Sequence, residues 1–315
     1  MLTPPAVRKG SKVALVAPAS RIDKSIVDSL VDAFRTHPDE FPGGCLEVYP
    51  SVWEAGACGS YAADLSCRVA DLRSALEDDD VDLVICARGG YGCVHLLDLV
   101  RDSVSVSHPK WLVGFSDVSA LHALFFRQGI ASIHGGMAKQ LVENPDCGYG
   151  SYRSLLKRLV ESDAPRFSYA SKPTSMDIPG RGEGILLGGN LAVLNGLAAT
   201  PYDLPGECLV RDAILFIEDI SEPIYAVERM LWHLHLQGVL KEAKGIVVGR
   251  FTEWKPDRNF SSMYDMISSA FRQWNVSCPV AFNFPVGHCD ENVPLIEGAP
   301  VRLTVSSTGS LLESL

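Results

Sequence analysis

The sequence predicts an α/β protein of two domains: a parallel-sheet domain, then a smaller β-rich domain of α+β or barrel-like architecture. Three observations lead there. The chain has 315 residues, enough for two domains of ordinary size that each bury a core. Up to about residue 160, short β-rich apolar runs alternate with helix-length amphipathic segments, which is the pattern of βαβ units. Beyond about residue 182 strand-like pieces predominate.

In the first part, KVALVA precedes a helical IVDSLVDAFR, and VDLVICA precedes RGGYGCVHLLDLV. WLVGF precedes SDVSALHALFFRQG, and ASIHGG precedes MAKQLV. Continuous apolar strands separated by helices indicate a parallel sheet covered on both faces. Such sheets bind ligands at the carboxyl ends of their strands, so chemistry is expected in the turns that follow these four runs. Between about 161 and 182 the chain is polar and carries three prolines without apolar periodicity, as a connection would. The expected organisation is therefore a domain over 1–165, a linker over 166–182 and a second domain over 183–315. In that second domain GILLG, DAILFIED, GIVVGRF, PVAFNFPVG and PVRLTVSS read as strands, and NLAVLNGLAA and PIYAVERMLWHLHLQGVL as helices. No internal repeat or low-complexity segment occurs.

With 47% hydrophobic and 21% charged residues and 27 scattered glycines, the composition is that of a globular chain. The formal charge of -10 argues against nucleic-acid binding, which needs a basic face to displace counterions. An anionic substrate would need a locally basic pocket. Nine cysteines form no C-x-x-C pair and no zinc-like spacing, so reduced, mostly buried thiols, no metal and no cofactor are expected. The apolar segment Val13 to Ala17 is shorter than the roughly 7–15 residues of a signal peptide, and no run of about 18 apolar residues appears. A cytoplasmic location without membrane contact is the expectation.

Gly-Phe-Ser-Asp, residues 114–117, ends an apolar strand and opens a helix. A nucleophile elbow needs small residues beside its serine, and Gly114 meets that need, although Val118 stands where G-x-S-x-G has its second glycine. Ser116 would sit at the sheet edge, with the Asp117 amide at the positive end of a helix. A plain N-cap serine fits the motif equally well. In RGGYG, Gly89 or Gly90 would let the backbone approach a ligand and offer a second oxyanion donor, while a structural turn fits as well. No dinucleotide or Walker pattern is present.

A serine nucleophile needs a base and an acceptor that orients it. His288 in NFPVGHCDEN follows a strand and a glycine, and His134 in IHGG is its rival. His233 and His235 lie two apart on a helix and point away from each other, against a metal site. Glu218 and Asp219 end the apolar strand AILFIED, where a carboxylate is desolvated unless paired. An imidazolium is one partner for it and Arg229 another.

RGGYG, GFSDVSALH, GGNLAVLNGLAATPY, ILFIEDISEPIYAVERMLWHL and FPVGH…VPLIEGA, in that order, resemble the LD-carboxypeptidases, or muramoyltetrapeptide carboxypeptidases. The likeness runs from KVALVAPAS to about Leu303. It implies a flavodoxin-like first domain, a β-rich second domain, a homodimer and a Ser-His-Glu triad of Ser116, His288 and Glu218, drawn from both domains. Asp117 and Gly90 match the backbone oxyanion donors, and the role of His134 stays open. The implied reaction releases terminal D-Ala from a cytoplasmic murein tetrapeptide during cell-wall recycling, with Arg88 as a candidate for holding the terminal carboxylate. A related branch cleaves peptidyl or aminoacyl nucleotide antibiotics and confers immunity to microcin-type compounds. It is the alternative reading, with Trp254 or Trp53 as base-stacking candidates. A third is an inactive muropeptide-binding protein, opposed by the intact Ser, Glu and His.

Overall fold

The computed structural model describes residues 1–54, 56, 59–206 and 209–315, so Cys58 and Cys208 lie outside the described residues. Its strands are β1 (Lys12–Val16), β2 (Cys45–Val48), β3 (Val81–Cys86), β4 (Trp111–Gly114), β5 (Ser132–His134), β6 (Ser168–Ser171), β7 (Gly180–Asn190), β8 (Ala213–Ile220), β9 (Gly245–Thr252), β10 (Val280–Ala281), β11 (Leu295–Glu297), β12 (Pro300–Ser306) and β13 (Gly309–Ser314). Contacts divide the chain into two units, one of Met1–Pro165 with Val293–Gly298, the other of Arg166–Asn292 with Ala299–Leu315.

The first unit holds a sheet ordered β11-β5-β4-β3-β1-β2. Its first five strands in sequence are all parallel in the flavodoxin-like order 2-1-3-4-5. β11 joins the edge antiparallel to β5, a strand whose origin late in the chain no local pattern announces. β4 is buried at every position, as strands covered on both faces must be. Each fully buried aliphatic side chain there contributes about 1.5–3 kcal/mol. Trp111, wholly buried, satisfies its indole N–H by donating to Pro5 O at 3.0 Å. The carboxyl ends of β1, β3, β4 and β5 thus deliver residues 17–23, 87–92, 115–118 and 135–137 to one edge.

The second unit is a mixed sheet ordered β10-β9-β8-β7-β12-β13-β6. β7 to β10 run parallel, and β12, β13 and β6 continue antiparallel. Among the described residues no ladder joins β10 to β6, so the sheet is open and not a closed barrel; a single bridge links Ile178 to Val280. The polar segment 166–182 is more than a connection, because it supplies the edge strand β6 and the start of β7. Of PVAFNFPVG only Val280–Ala281 is strand. The helix Met263–Gln273, capped by the Ser262 hydroxyl on the Asp265 amide, escaped the sequence reading. The helix Ile224–Leu236 connects β8 to β9. No helix of the described residues is long and apolar enough to cross a membrane.

Candidate active site

Ser116 follows β4 with φ at +64°, a left-handed conformation that costs a non-glycine residue about 1–3 kcal/mol unless the surroundings impose it. The surroundings do. A Cβ at Gly114 would lie 2.7 Å from Val118 Cγ1, so Val118, the residue that broke the elbow motif, occupies the space that Gly114 leaves. The Asp117 carboxylate, buried, accepts from the Cys93 amide at 2.8 Å, which ties the loop after β3 to the elbow. Burial pushes the Asp117 carboxyl above its usual range, against hydrogen bonding from Cys93 and the charges of His95 and Arg68. Ser116 opens a 3-10 turn, whose N-cap is Phe115; the plain cap reading is therefore replaced by a strained, half-buried serine.

The two glycines of RGGYG are separated by their neighbours. A Cβ at Gly89 would stand 3.0 Å from Ser116 Cβ and 3.2 Å from its Oγ, whereas at Gly90, with φ +107°, it would strike Ser20 Oγ at 2.2 Å. Gly89 is the glycine packed on the serine, and Gly90 the one that lets this loop meet the loop after β1. Ser20 donates its amide to Gly89 O at 3.2 Å and accepts from the Tyr91 amide at 3.3 Å. Arg68, which sequence reasoning missed, is buried and donates to Pro18 O at 2.8 Å and Gly92 O at 3.2 Å. A charged side chain on a helix carries no sequence signal of such a bracing role.

Arg88 is exposed, and its Nη1 donates to Arg21 O at 3.0 Å. With Arg21, Lys24, Asp23 and Tyr91 it lines a cleft of about 590 Å³. Three cations there supply the locally basic surface that the net acidic chain requires for an anionic ligand.

In the second unit β8 carries Glu218, whose side chain has no exposure to solvent. Its Oε2 accepts from His288 Nδ1 at 2.7 Å. Nδ1 therefore carries the proton and Nε2 keeps its lone pair, the tautomer a general base needs. The pairing of β8 with β9 shifts register between Ile217 and Asp219, a bulge that re-aims a side chain at this point. Gly287 has φ +103°, and a Cβ there would fall 2.6 Å from both Glu218 Cβ and Oε2; only glycine lets the His288 loop reach the carboxylate. Asn292, wholly buried, accepts from the Gly287 amide at 2.9 Å and so closes that loop. Burial alone would lower the His288 pKa, but the hydrogen bond and charge of Glu218, with Asp219 and Glu253, outweigh it and raise the value above the ordinary one.

Asp219 is held apart from this pair. It accepts from Asn190 Nδ2, the Ala192 amide and the Ile220 amide, each at 2.9 Å. Burial and the neighbouring Glu218 push it up to about 7 despite those bonds. Arg229 lies over the Tyr225 ring, so the imidazole and not the guanidinium is the partner of Glu218. His134 is wholly buried. Trp254 donates its indole N–H to Phe251 O at 3.0 Å, while Trp53 is exposed. No disulfide joins the seven described cysteines, of which three are buried and Cys45 is exposed.

A serine on a strained strand-to-helix turn and a carboxylate-oriented imidazole are the working parts of serine-type acyl transfer. Residues 13–135 match the N-terminal domain of the LD-carboxypeptidases, peptidase family S66, and residues 183–303 match their C-terminal domain; the chain belongs to this family of serine-type peptidases. A probable murein peptide carboxypeptidase of Bacillus subtilis is 30% identical over 99% of this chain and 94% of its own length. The crystal structure of a muramoyltetrapeptide carboxypeptidase from Oxalobacter formigenes superposes with a TM-score of 0.79 at 28% identity, over 96% of this chain and 98% of that one. The microcin C7 self-immunity protein in complex with aspartyl sulfamoyl adenosine shares the fold, with a TM-score of 0.82 at 18% identity over 100% and 99% of the two chains.

Proposed function

We propose that this enzyme is a carboxypeptidase of murein tetrapeptides that releases terminal D-Ala, with Ser116 as nucleophile and His288, oriented by Glu218, as its base. The observation that carries the reading is the 2.7 Å bond from His288 Nδ1 to the buried Glu218 carboxylate. It leaves Nε2 able to take a hydroxyl proton. Ser116 Oγ then bonds to the carbonyl carbon of the L-configured third residue, and the oxyanion is held by the backbone amides of Asp117 and Gly90. As the C–N bond breaks, His288 returns the proton to the departing D-Ala amine, and water repeats the sequence on the acyl-enzyme. Arg88 is assigned to the terminal carboxylate of the substrate, with Arg21 and Lys24 beside it.

The names of the relatives support murein peptides as the substrate class. A nucleotide-antibiotic substrate has only the shared fold in its favour. We infer a cytoplasmic recycling role and a homodimer, which the exposed Tyr225, Trp232 and Leu236 on one helix support; sedimentation at twice the chain mass tests the latter.

The deciding experiment is mass-spectrometric detection of D-Ala released from a muramoyl tetrapeptide by wild type and Ser116→Ala side by side. Release by the wild type alone is the expected result. Release by neither, with tight binding of an aminoacyl sulfamoyl adenosine, would transfer the assignment to nucleotide substrates. Muropeptide affinity without any turnover would make the chain a binding protein.

A further inference from the structure

We propose that His122, His134 and Glu297, all in the first unit, form a buried binding site for a divalent transition-metal ion. His122 lies on the helix Ser119–Arg127, His134 ends β5 and Glu297 ends β11. In the antiparallel ladder Glu297 pairs with Ser132 and Leu295 with His134. Side chains alternate faces along a strand, so Ser132, His134 and Glu297 share one face. His122 meets that face, because its Nδ1 lies 2.8 Å from Ser132 Oγ.

Three features point to an ion. One ligand atom from each residue lies within 4.8 Å of the others, and the relative exposures are 0%, 0% and 1%. His134 Nδ1 and Glu297 Oε1 stand 4.0 Å apart. That is too long for a charge-assisted hydrogen bond, which spans about 2.7–2.9 Å, and about half an ångström wider than the roughly 3.4 Å between two tetrahedral donors near 2.1 Å from one cation, so the two side chains would draw together slightly on the ion. Finally, His122 Nε2 lies 2.8 Å from Gly114 O. A carbonyl only accepts, so Nε2 carries the proton and Nδ1 has the lone pair, which accepts from the Ser132 hydroxyl; an ion would take that lone pair and bind the Ser132 oxygen in place of this bond. A ligating histidine typically anchors its other nitrogen in this way. Two imidazoles, a carboxylate and the Ser132 hydroxyl would complete a four-coordinate set of the kind zinc accepts. The ion would also lower the cost of a buried carboxylate.

The site is closed, so the ion would enter as β11 docks during folding. Its role is structural: through His122 and Gly114 it would brace the strand end two residues before Ser116.

The test measures metal in the full-length, untagged protein by inductively coupled plasma mass spectrometry, then refolds it with Co²⁺. About one ion per chain is expected, with Co²⁺ d–d absorption and no thiolate charge-transfer band, since no cysteine is a ligand. Glu297→Gln and His134→Gln each remove a ligand and should leave the purified protein without the ion, whereas His288→Gln should retain it. Wild type that takes up neither Zn²⁺ nor Co²⁺ on refolding would overturn the site in favour of a direct His134–Glu297 ion pair. So would a spectrum with thiolate bands, or an ion that survives both substitutions. The wild-type spectrum decides even where a variant fails to fold, and no outcome depends on the substrate.

Discussion

The Glu218 carboxylate meets His288 Nδ1 at 2.7 Å from a position with no solvent exposure, so under the mechanism proposed above the imidazolium it stabilises is the inactive, acid form of His288. The His288 pKa is raised by Glu218, Asp219 and Glu253 over the opposing effect of burial. The kcat/KM for D-Ala release should therefore fall about tenfold per pH unit below an acid limb that lies above the ordinary histidine value of about 6.5. In Glu218→Gln burial is left to dominate. The limb should then move to lower pH while the plateau drops by about 10⁴ or more. A pH-rate profile measures both, and an unmoved limb in Glu218→Gln would remove His288 from the mechanism.

Stability should run with pH in the matching sense. A group whose folded pKa is raised contributes stability below its unfolded pKa and loses it as pH rises through the folded one. Asp219, pushed up to about 7, covers the window from about 4 to about 7, since an unfolded aspartate titrates at about 3.9. His288 continues the loss above about 6.5. Urea midpoints should decline across that range. Asp219→Asn should flatten the slope at its lower end, where an unchanged slope would count against the raised carboxyl.

Ser116→Ala should be folded and lose about 10⁴–10⁶ in rate, as nucleophile removal does. Ser116→Gly should be equally inactive and yet more stable than Ser116→Ala by about 1 kcal/mol, because only glycine adopts φ +64° without penalty. Thermal unfolding of the two variants makes the comparison, and an alanine variant at least as stable as the glycine one would mean that the elbow is not strained.

The parallel sheet was legible because its strands are buried on both faces and read as unbroken apolar runs, and its carboxyl-end turns hold Ser116 and the RGGYG loop side by side. β11 was not, since three residues from near the chain's end acquire meaning only by pairing with β5. Glu218 and His288 were legible as a buried carboxylate and a strand-end imidazole, but the glycine at 287 that lets them touch has a purely steric reason, visible only with Glu218 beside it. In the same way the sequence left Gly89 and Gly90 interchangeable, and only the neighbours Ser116 and Ser20 tell them apart.

Three glycine substitutions separate packing from backbone conformation. Gly287→Ala drives a methyl to 2.6 Å from Glu218 at φ +103°. It should destabilise by about 2–4 kcal/mol and abolish turnover. Gly238→Ala, at φ +81° with nothing within 4 Å, should cost about 1–2 kcal/mol and leave turnover intact. Gly89→Ala, whose methyl would crowd Ser116 Cβ at 3.0 Å and Oγ at 3.2 Å, should reduce kcat with little change in melting temperature. Equal activity losses in Gly238→Ala and Gly287→Ala would show that the effect is global and not local to Glu218.

Arg88 is held by a bond to Arg21 O at 3.0 Å on an exposed cleft that also contains Lys24. A hydrogen bond to a charged group contributes about 1.5–3 kcal/mol. Loss of the guanidinium in Arg88→Gln should therefore raise KM for the free-acid tetrapeptide by about 10–100-fold. The C-terminal amide of the same peptide carries no charge for Arg88 to meet, so its KM should change by less than about threefold, with kcat preserved for both. Steady-state kinetics on the two substrates read the difference directly. If KM rises equally for acid and amide, Arg88 only shapes the loop after β3, and the carboxylate contact would have to be sought at Arg21 or Lys24, each of which the same pair of substrates can test.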